Sequence, residues 1–214
     1  INGRRVGTER MTPGWTSYGK RLQYQTYDVT SHLRPGENVA GATLGDGWYR
    51  GFLAWKDRRA VYGDRLALLA QIRIEYADGR VETVGTDGTW TSATGPILAS
   101  DIYNGETYDA RLERPGWTTP GYDASGWTAV RVAQPATRTL FAPPGPPVRA
   151  IEEIKPVKVL KTPKGETVFD FGQNMVGHVR LKVRGEAGTT LTLRHFEVLD
   201  KEGNVYTANL RAAK

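Results

Sequence analysis

The chain has 214 residues, of which 39% are hydrophobic, and its 29 Lys and Arg outnumber 23 Asp and Glu to give a net charge of +6. Cysteine is absent, which excludes disulfides, and no apolar run approaches the ~20 residues that a membrane-spanning helix needs. Its 25 glycines and 12 prolines indicate many turns and, without a convincing helical period, predict an all-β protein. Because basic residues are interleaved with acidic and apolar ones, we expect neither a nucleic-acid nor a membrane partner.

The two ends of the chain predict a piece of a longer polypeptide. Asn2-Gly3 is a favoured hairpin turn, yet only Ile1 stands where a strand should precede it. The last residues, Asn209–Lys214, complete no strand. Targeting signals would then lie outside this sequence, so the compartment, cytoplasmic or secreted, stays open.

The first extended region, Gln23–Gly51, predicts a hairpin that ends in a polar and aromatic loop. Pro35 and Gly36 suit the turn at Arg34–Glu37, and the mostly apolar Asn38–Leu44 then predicts a core strand. Three glycines in Gly45–Gly51 allow the backbone to bend sharply and to present a ring and a charge together. The side chains so presented are Asp46, Trp48, Tyr49 and Arg50.

A clear hairpin is predicted further along the chain. Leu66–Tyr76 is apolar at first and then alternates, which is typical of a strand, and Asp78-Gly79 turns the chain into a second strand at Val81–Val84. The segment Ala99–Leu112 is predicted as a second polar and aromatic loop.

A proline-rich run, Ala142–Pro147, is the clearest linker because prolines cannot donate to a ladder and favour an extended conformation. It predicts two domains, 1–142 and 148–214. In the second domain, His178–Val183 and Thr189–Phe196 alternate cleanly and predict strands. The predicted architecture is two consecutive antiparallel β-sandwiches of jelly-roll-like type.

The sequence offers little for metal or nucleophilic chemistry. The three histidines, His32, His178 and His195, are far apart without ligand spacing, and no nucleophile elbow, phosphate loop or dinucleotide fingerprint occurs. Glycoside hydrolysis would need two acids flanking one bond. Loop acids often cap turns or pair with arginine instead, so the sequence assigns no catalytic residue.

The loop aromatics suggest carbohydrate binding, because sugars stack their C–H faces on rings while polar groups bind the hydroxyls. The rings in or near loops are Trp48, Tyr49, Trp55, Tyr103 and Tyr108. The alternative is that these rings pack against the sandwich, as large aromatics usually do and as we expect of Trp117 and Trp127. A Ca²⁺ site of loop oxygens is a further alternative without assigned ligands. The candidate carbohydrate-binding residues are Asp46, Trp48, Tyr49, Arg50, Tyr103, Asn104, Glu106 and Asp109.

Several stretches, in this order along the chain, carry a resemblance to a known family. They are Ile1–Gly7, Pro13–Tyr18, Tyr24–Thr30, Leu44–Gly51, Gly105–Arg111, Asp170–Asn174, Leu193–Leu199 and Tyr206–Arg211. With them the chain resembles the N-terminal part of the bacterial α-L-rhamnosidases, a family of inverting glycoside hydrolases.

The resemblance implies an N-terminal β-sandwich, like a carbohydrate-binding module in which calcium can assist, followed by a concanavalin-like β-sandwich. It implies that both sandwiches are incomplete, and that the catalytic acids lie on a helical barrel that no segment here matches. The expected partners are an L-rhamnose-containing glycoside and that barrel of the same polypeptide. We therefore expect the chain to bind carbohydrate or to support the barrel without hydrolysing; the alternative is a purely structural scaffold for the barrel or a dimer partner.

Overall fold

The structure, a computed structural model, describes residues 1–54, 58–134, 139–210 and 213. The chain forms two compact units, Ile1–Val148 and Arg149–Lys214. The division falls just after the proline-rich run Ala142–Pro147. In the part of the chain that is described, no helix is long and apolar enough to cross a membrane.

Strands account for most of the regular structure. In the first unit they are β1 (Arg21–Gln23), β2 (Gln71–Glu75), β3 (Val81–Gly85), β4 (Thr91–Ser92), β5 (Ile97–Asp101), β6 (Gly105–Tyr108), β7 (Thr128–Ala129) and β8 (Thr139–Phe141). In the second unit they are β9 (Lys158–Lys161), β10 (Thr167–Asp170), β11 (Val198–Leu199) and β12 (Val205–Tyr206). The helical segments described are a single α-helical turn, α1 (Gly47–Arg50), and 3₁₀ turns at Thr30–His32, Ala110–Leu112 and Ala208–Leu210.

The described strands pair two by two. β2 with β3, β4 with β7, β5 with β6, β9 with β10 and β11 with β12 are antiparallel, whereas β1 and β8 are parallel. The predicted all-β class is confirmed. The β1–β8 pair joins segments more than a hundred residues apart, from Arg21 beside Thr139 to Gln23 beside Phe141.

The hairpin predicted at Asp78-Gly79 is confirmed. β2 alternates between half-buried Ile72 and Ile74 and exposed polar residues, as its sequence pattern requires. Gly79 has φ +85°, a left-handed conformation that suits glycine. The strand is shorter than predicted, because Leu66–Ala70 stay outside it. Its partner β3 ends at Gly85, and beyond that point Thr86 bonds Ala70 through both its amide and its hydroxyl.

The hairpin predicted over Gln23–Gly51 is wrong. Asn38–Leu44 form no strand, since Asn38 turns its side-chain amide back to the carbonyl oxygens of Arg34 and Gly36. The next residue, Val39, exchanges hydrogen bonds with Asn2, through the backbone amide of Asn2 at 2.9 Å and its side-chain oxygen at 2.9 Å. A segment from the start of the chain therefore takes the position that a hairpin partner would occupy.

The segment Ala99–Leu112, predicted as a loop, is mostly a hairpin. β5 and β6 pair from Asp101 opposite Gly105 to Ile97 opposite Tyr108, with a bulge between Ile97 and Ala99. The sequence pattern hid this hairpin because three of the five β5 residues and all of β6 are exposed, so neither strand alternates between a buried and an exposed face. Sequence alternation detects a strand only where one face is buried and the other exposed.

Two strands predicted in the second unit are also absent. His178–Val183 and Thr189–Phe196 alternate in sequence, yet neither segment joins a ladder with any described residue. Alternation records which side chains share a face, whereas a strand also needs a partner for its backbone groups. The turn before β12 is present, because Asn204 and Asp200 bond each other across it.

The apolar core among the described residues is small. The buried large apolar residues are Tyr18 and Leu53 in the first unit, 4% and 5% exposed, and Val168 in the second, 7% exposed. Tyr18 contacts Tyr49 of α1, and Leu53 follows the end of α1 by three residues. The best-buried region of the first unit therefore surrounds the predicted Gly45–Gly51 loop.

Candidate functional site

Asp46 lies directly before α1 and binds two arginines. Its Oδ1 accepts from Nε of Arg50 at 2.6 Å, and its Oδ2 accepts from Nη2 of Arg59 at 2.8 Å. The side chain of Asp46 is 15% exposed, so this small ionic network is partly shielded from water. Arg50 is the last residue of α1, and its amide also donates to the Asp46 carbonyl at 2.9 Å.

The pKa of Asp46 reflects two opposing effects. Burial raises the pKa, but the hydrogen bonds and charges of Arg59 and Arg50 outweigh it and hold the pKa below its ordinary value. The carboxylate is therefore ionised at neutral pH, with both oxygens already occupied by guanidinium groups. It is poorly available to a sugar hydroxyl.

Trp48 and Tyr49 belong to an aromatic cluster formed by Trp15, Tyr18, Trp48, Tyr49 and Tyr62. Trp15 stacks on Trp48 with ring centroids 6.2 Å apart and planes at 8°. Tyr18 contacts Tyr49 and Tyr62 edge to face, at 5.7 Å and 4.9 Å between centroids. Nε1 of Trp15 donates to the Tyr62 hydroxyl at 3.1 Å. The two predicted sugar-binding rings are thus packed on other rings and only half-exposed.

The buried member of the aromatic cluster, Tyr18, has a perturbed acidity. Its hydroxyl donates to the Gly14 carbonyl at 2.5 Å. Burial, with a smaller contribution from Tyr62, raises the pKa of Tyr18 to about 12. Tyr18 therefore stays protonated far into the alkaline range.

Asp101 connects α1 with the turn between β5 and β6. Its Oδ2 accepts from the Phe52 amide at 2.7 Å, and its Oδ1 accepts from the amides of Tyr103 at 2.8 Å and Asn104 at 3.0 Å. The two loops that the sequence marked as aromatic and polar are therefore joined through one carboxylate. Asp101 is not among the residues predicted to bind carbohydrate, because its role depends on contacts with a distant segment.

Tyr103, Asn104 and Glu106 lie at the end of the β5–β6 hairpin. Tyr103 is 42% exposed, and Asn104 and Glu106 are also exposed. The structure brings these three candidates together because they flank one tight turn. Among the candidate residues they are the ones with polar groups or a ring open to solvent.

Asp109 holds the 3₁₀ turn Ala110–Leu112. Its carboxylate accepts from the Arg111 amide at 3.0 Å and from Nε and Nη2 of Arg111 at 2.8 Å and 2.6 Å. These hydrogen bonds lower the pKa of Asp109 to about 2. Loop acids are predicted to cap turns or to pair with arginine: Asp109 does both, whereas Asp46 pairs with Arg50 and Arg59.

Other aromatic residues form a separate cluster. Trp117 and Trp127 lie 6.0 Å apart between centroids, and Tyr122 meets Trp127 edge to face. Trp117 packs so closely on the bare Cα of Gly41 that a side chain there would collide with its ring. This contact agrees with the structural role predicted for both tryptophans. Trp55, another predicted loop ring, lies outside the described residues.

The acidic residues of the site do not fit a cation. Asp46 and Asp109 are occupied by guanidinium groups, and Asp101 is occupied by backbone amides. Within the ranges that the structure describes, no three His, Cys, Asp or Glu side chains converge as metal ligands would. Hydrogen-bond donors therefore occupy these three carboxylates, an arrangement that does not suit calcium.

Two family models match the chain over nearly its whole length. Residues 1–152 match the α-L-rhamnosidase N-terminal domain, and residues 160–214 match the bacterial α-L-rhamnosidase concanavalin-like domain. The α-L-rhamnosidase of Streptomyces avermitilis is 51% identical over all 214 residues, and one from Formosa agariphila is 39% identical. The chain spans 21% and 23% of the lengths of these relatives.

Solved structures agree with the sequence comparisons. A crystal structure of the Streptomyces avermitilis enzyme, complexed with L-rhamnose, superposes with a TM-score of 0.92 at 49% identity over 99% of this chain and 21% of its own. The native enzyme from Aspergillus terreus gives 0.89 at 41% identity over 100% of this chain and 25% of its own. By sequence and by fold, the chain belongs to the α-L-rhamnosidase family and corresponds to its N-terminal region.

Proposed function

We propose that this chain is the non-catalytic supporting region of an α-L-rhamnosidase, which hydrolyses terminal α-L-rhamnose from glycosides with inversion. In this proposal the chain supports a catalytic helical barrel in the same polypeptide and has no hydrolytic site of its own. The similar α-L-rhamnosidases are roughly five times longer than this chain, which leaves ample length for a separate catalytic domain.

One observation carries the supporting role: the candidate sugar-contacting side chains around α1 are engaged within the chain. Asp46 is bound by Arg50 and Arg59, and Tyr49 packs on Tyr18. A binding site for a sugar keeps its polar groups ready to exchange water for hydroxyls. These groups instead stabilise the fold around α1.

Carbohydrate binding is the second candidate, and the β5–β6 turn favours it. Tyr103 offers a ring that is 42% exposed, and the exposed Asn104 and Glu106 lie at the same turn. A ring flanked by hydrogen-bonding groups is the arrangement by which a monosaccharide is held. On this candidate, L-rhamnose would bind at the turn and Asp46 would have no part in it.

Calorimetric titration of the chain with L-rhamnose, with and without Ca²⁺, distinguishes the two candidates. We expect no saturable heat under either condition, and no release of a chromophore from an aryl α-L-rhamnoside. Saturable heat would favour carbohydrate binding, and measurable turnover would contradict the non-catalytic role.

A pair of variants makes the titration specific. Tyr103→Ala removes the exposed ring of the turn, whereas Tyr108→Ala removes another exposed ring, whose hydroxyl bonds Glu113 at 2.6 Å. If any saturable heat is lost in Tyr103→Ala and kept in Tyr108→Ala, the turn is the binding site. Equal loss in both variants would point to a general effect on the fold.

A further inference from the structure

The sequence contains two Asn-Gly pairs, Asn2-Gly3 and Asn104-Gly105. This dipeptide is prone to lose the asparagine amide, because glycine has no side chain to hinder attack of its backbone nitrogen on Cγ of the asparagine. The reaction needs a side chain that is free to rotate onto that nitrogen. The two asparagines differ sharply in this freedom.

Asn2 is held by three side-chain hydrogen bonds. Its Nδ2 donates to the His32 carbonyl at 2.9 Å and to Oδ1 of Asn38 at 2.7 Å, and its Oδ1 accepts from the Val39 amide at 2.9 Å. The amide of Gly3 also donates, to the Thr118 carbonyl at 2.9 Å. All of these contacts must open before the Asn2 side chain reaches the Gly3 nitrogen.

Asn104 is held much less. It lies exposed in the turn between β5 and β6, and its side-chain amide makes no hydrogen bond to any residue that the structure describes. Gly105 begins β6, and its pair with Asp101 is the last one of that ladder. Terminal pairs of a hairpin open more readily than inner ones, which exposes the Gly105 nitrogen.

We propose that Asn104 is a site of spontaneous deamidation, a modification independent of the proposed rhamnosidase role. The Gly105 nitrogen bonds to Cγ of Asn104, the Cγ–Nδ2 bond breaks, and ammonia leaves with the amide proton. Water then opens the cyclic succinimide at one of its two carbonyls. The product is an aspartyl or an isoaspartyl residue, and no oxidant or reductant is consumed.

Deamidation changes the turn that carries Tyr103 and Glu106. Either product adds one negative charge close to the carboxylates of Asp101 and Glu106, where like charges repel. The isoaspartyl product also inserts a methylene into the backbone between residues 104 and 105. The ladder pair of Asp101 with Gly105 then loses its register. Slow deamidation would therefore alter the exposed turn and leave the rest of the hairpin paired.

Peptide mapping by mass spectrometry after incubation of the folded protein in mildly alkaline buffer tests the proposal. In H₂¹⁸O, we expect the peptide that contains Asn104 to gain label at least about tenfold faster than the peptide that contains Asn2, because three hydrogen bonds hold Asn2. Comparable rates for the two peptides would overturn the proposal.

Two controls separate the structural explanation from the local sequence. In concentrated urea, where neither asparagine is held, the two rates should converge, and a persisting tenfold difference would refute protection by the fold. Asn104→Gln should abolish label at position 104 and leave the Asn2 peptide unchanged. Label retained in the peptide that contains position 104 of Asn104→Gln would assign the modification to another residue of that peptide and overturn the proposal.

Discussion

At the scale of single residues, three acids of the two predicted loops act as acceptors for the chain's own donors. Asp46 binds two guanidinium groups, Asp109 binds one, and Asp101 binds three backbone amides. Charge-assisted hydrogen bonds of this kind are stronger than neutral ones, and they order the loops that contain them. These carboxylates therefore stabilise the site chiefly by ordering its backbone.

The raised pKa of Tyr18 should be visible in a titration of the protein. Its pKa is raised to about 12 by burial and by Tyr62, so a spectroscopic titration of the ten tyrosines should show a component near that value, separate from the ordinary ones. The Tyr18→Phe variant should lose this component. If the component persists in the variant, another tyrosine carries the shift.

The same shift affects stability in alkali. Because the folded-state pKa lies above the unfolded value near 10, the contribution of Tyr18 is fully present below pH 10 and is lost as the pH rises toward about 12. As the pH rises from 10 toward about 12, the difference in thermal unfolding midpoint between the wild type and Tyr18→Phe should therefore narrow. A constant difference across that range would contradict the assignment.

At the scale of elements, the end of α1 packs closely against the β5–β6 hairpin at Gly51 and Asp101. A Cβ added at Gly51 would meet the carbonyl oxygen of Gly47 and lie 2.8 Å from Oδ2 of Asp101. The φ of Gly51 is −70°, so close packing, rather than backbone conformation, requires glycine there. The contact explains how a four-residue helix keeps its place against a hairpin.

Gly51→Ala should therefore destabilise the chain by about 1–3 kcal/mol, because the Gly47 carbonyl and the Asp101 carboxylate must move apart. Gly45→Ala is the matched control, since a Cβ there meets nothing within 4 Å and its φ is not in the left-handed region. We expect the control to change stability by at most about 0.5 kcal/mol, in either direction. Urea unfolding measures both, and equal effects would refute the packing argument.

At the scale of the whole molecule, the chain leaves much apolar surface uncovered. Its accessible surface is 17,327 Å², against ~9,800 Å² expected for a folded monomer of 23.7 kDa and ~12,000 Å² if each unit is treated as a separate monomer. Leu69 at 72% and Ile151 at 96% exemplify the exposed side chains. Two-stranded pairs bury little on their own, which accounts for the excess.

This excess predicts a shallow unfolding transition for the 214-residue chain. Because the denaturant slope scales with the surface exposed on unfolding, the urea m value should fall clearly below that of a compact monomer of equal length. A hydrophobic dye should also bind the chain in the absence of denaturant. A normal m value without dye binding would show that these apolar faces are covered in solution.

Much of the local structure follows from the sequence, but the pairing of segments that are distant in the chain does not. Asp78-Gly79 and the alternation of Ile72 and Ile74 define β2 and β3, because turn and strands are adjacent in the chain. Asn38–Leu44 looks equally strand-like, yet Val39 bonds Asn2, which lies 37 residues earlier in the chain. A contact between residues so distant leaves no periodic trace, so the sequence pattern could not reveal it.

For the candidate site as well, the sequence predicted some features and the tertiary structure decided others. The sequence alone determined the all-β class, the family and the residue types near α1, since these depend on composition and on local motifs. Only the tertiary structure decided that Arg59 shares Asp46 with Arg50, that Tyr18 packs edge to face on Tyr49, and that Asp101 joins two loops. The physical reason is that charge pairing, ring packing and carboxylate capping act between residues far apart in the chain, where distance in space and burial decide which partner is met.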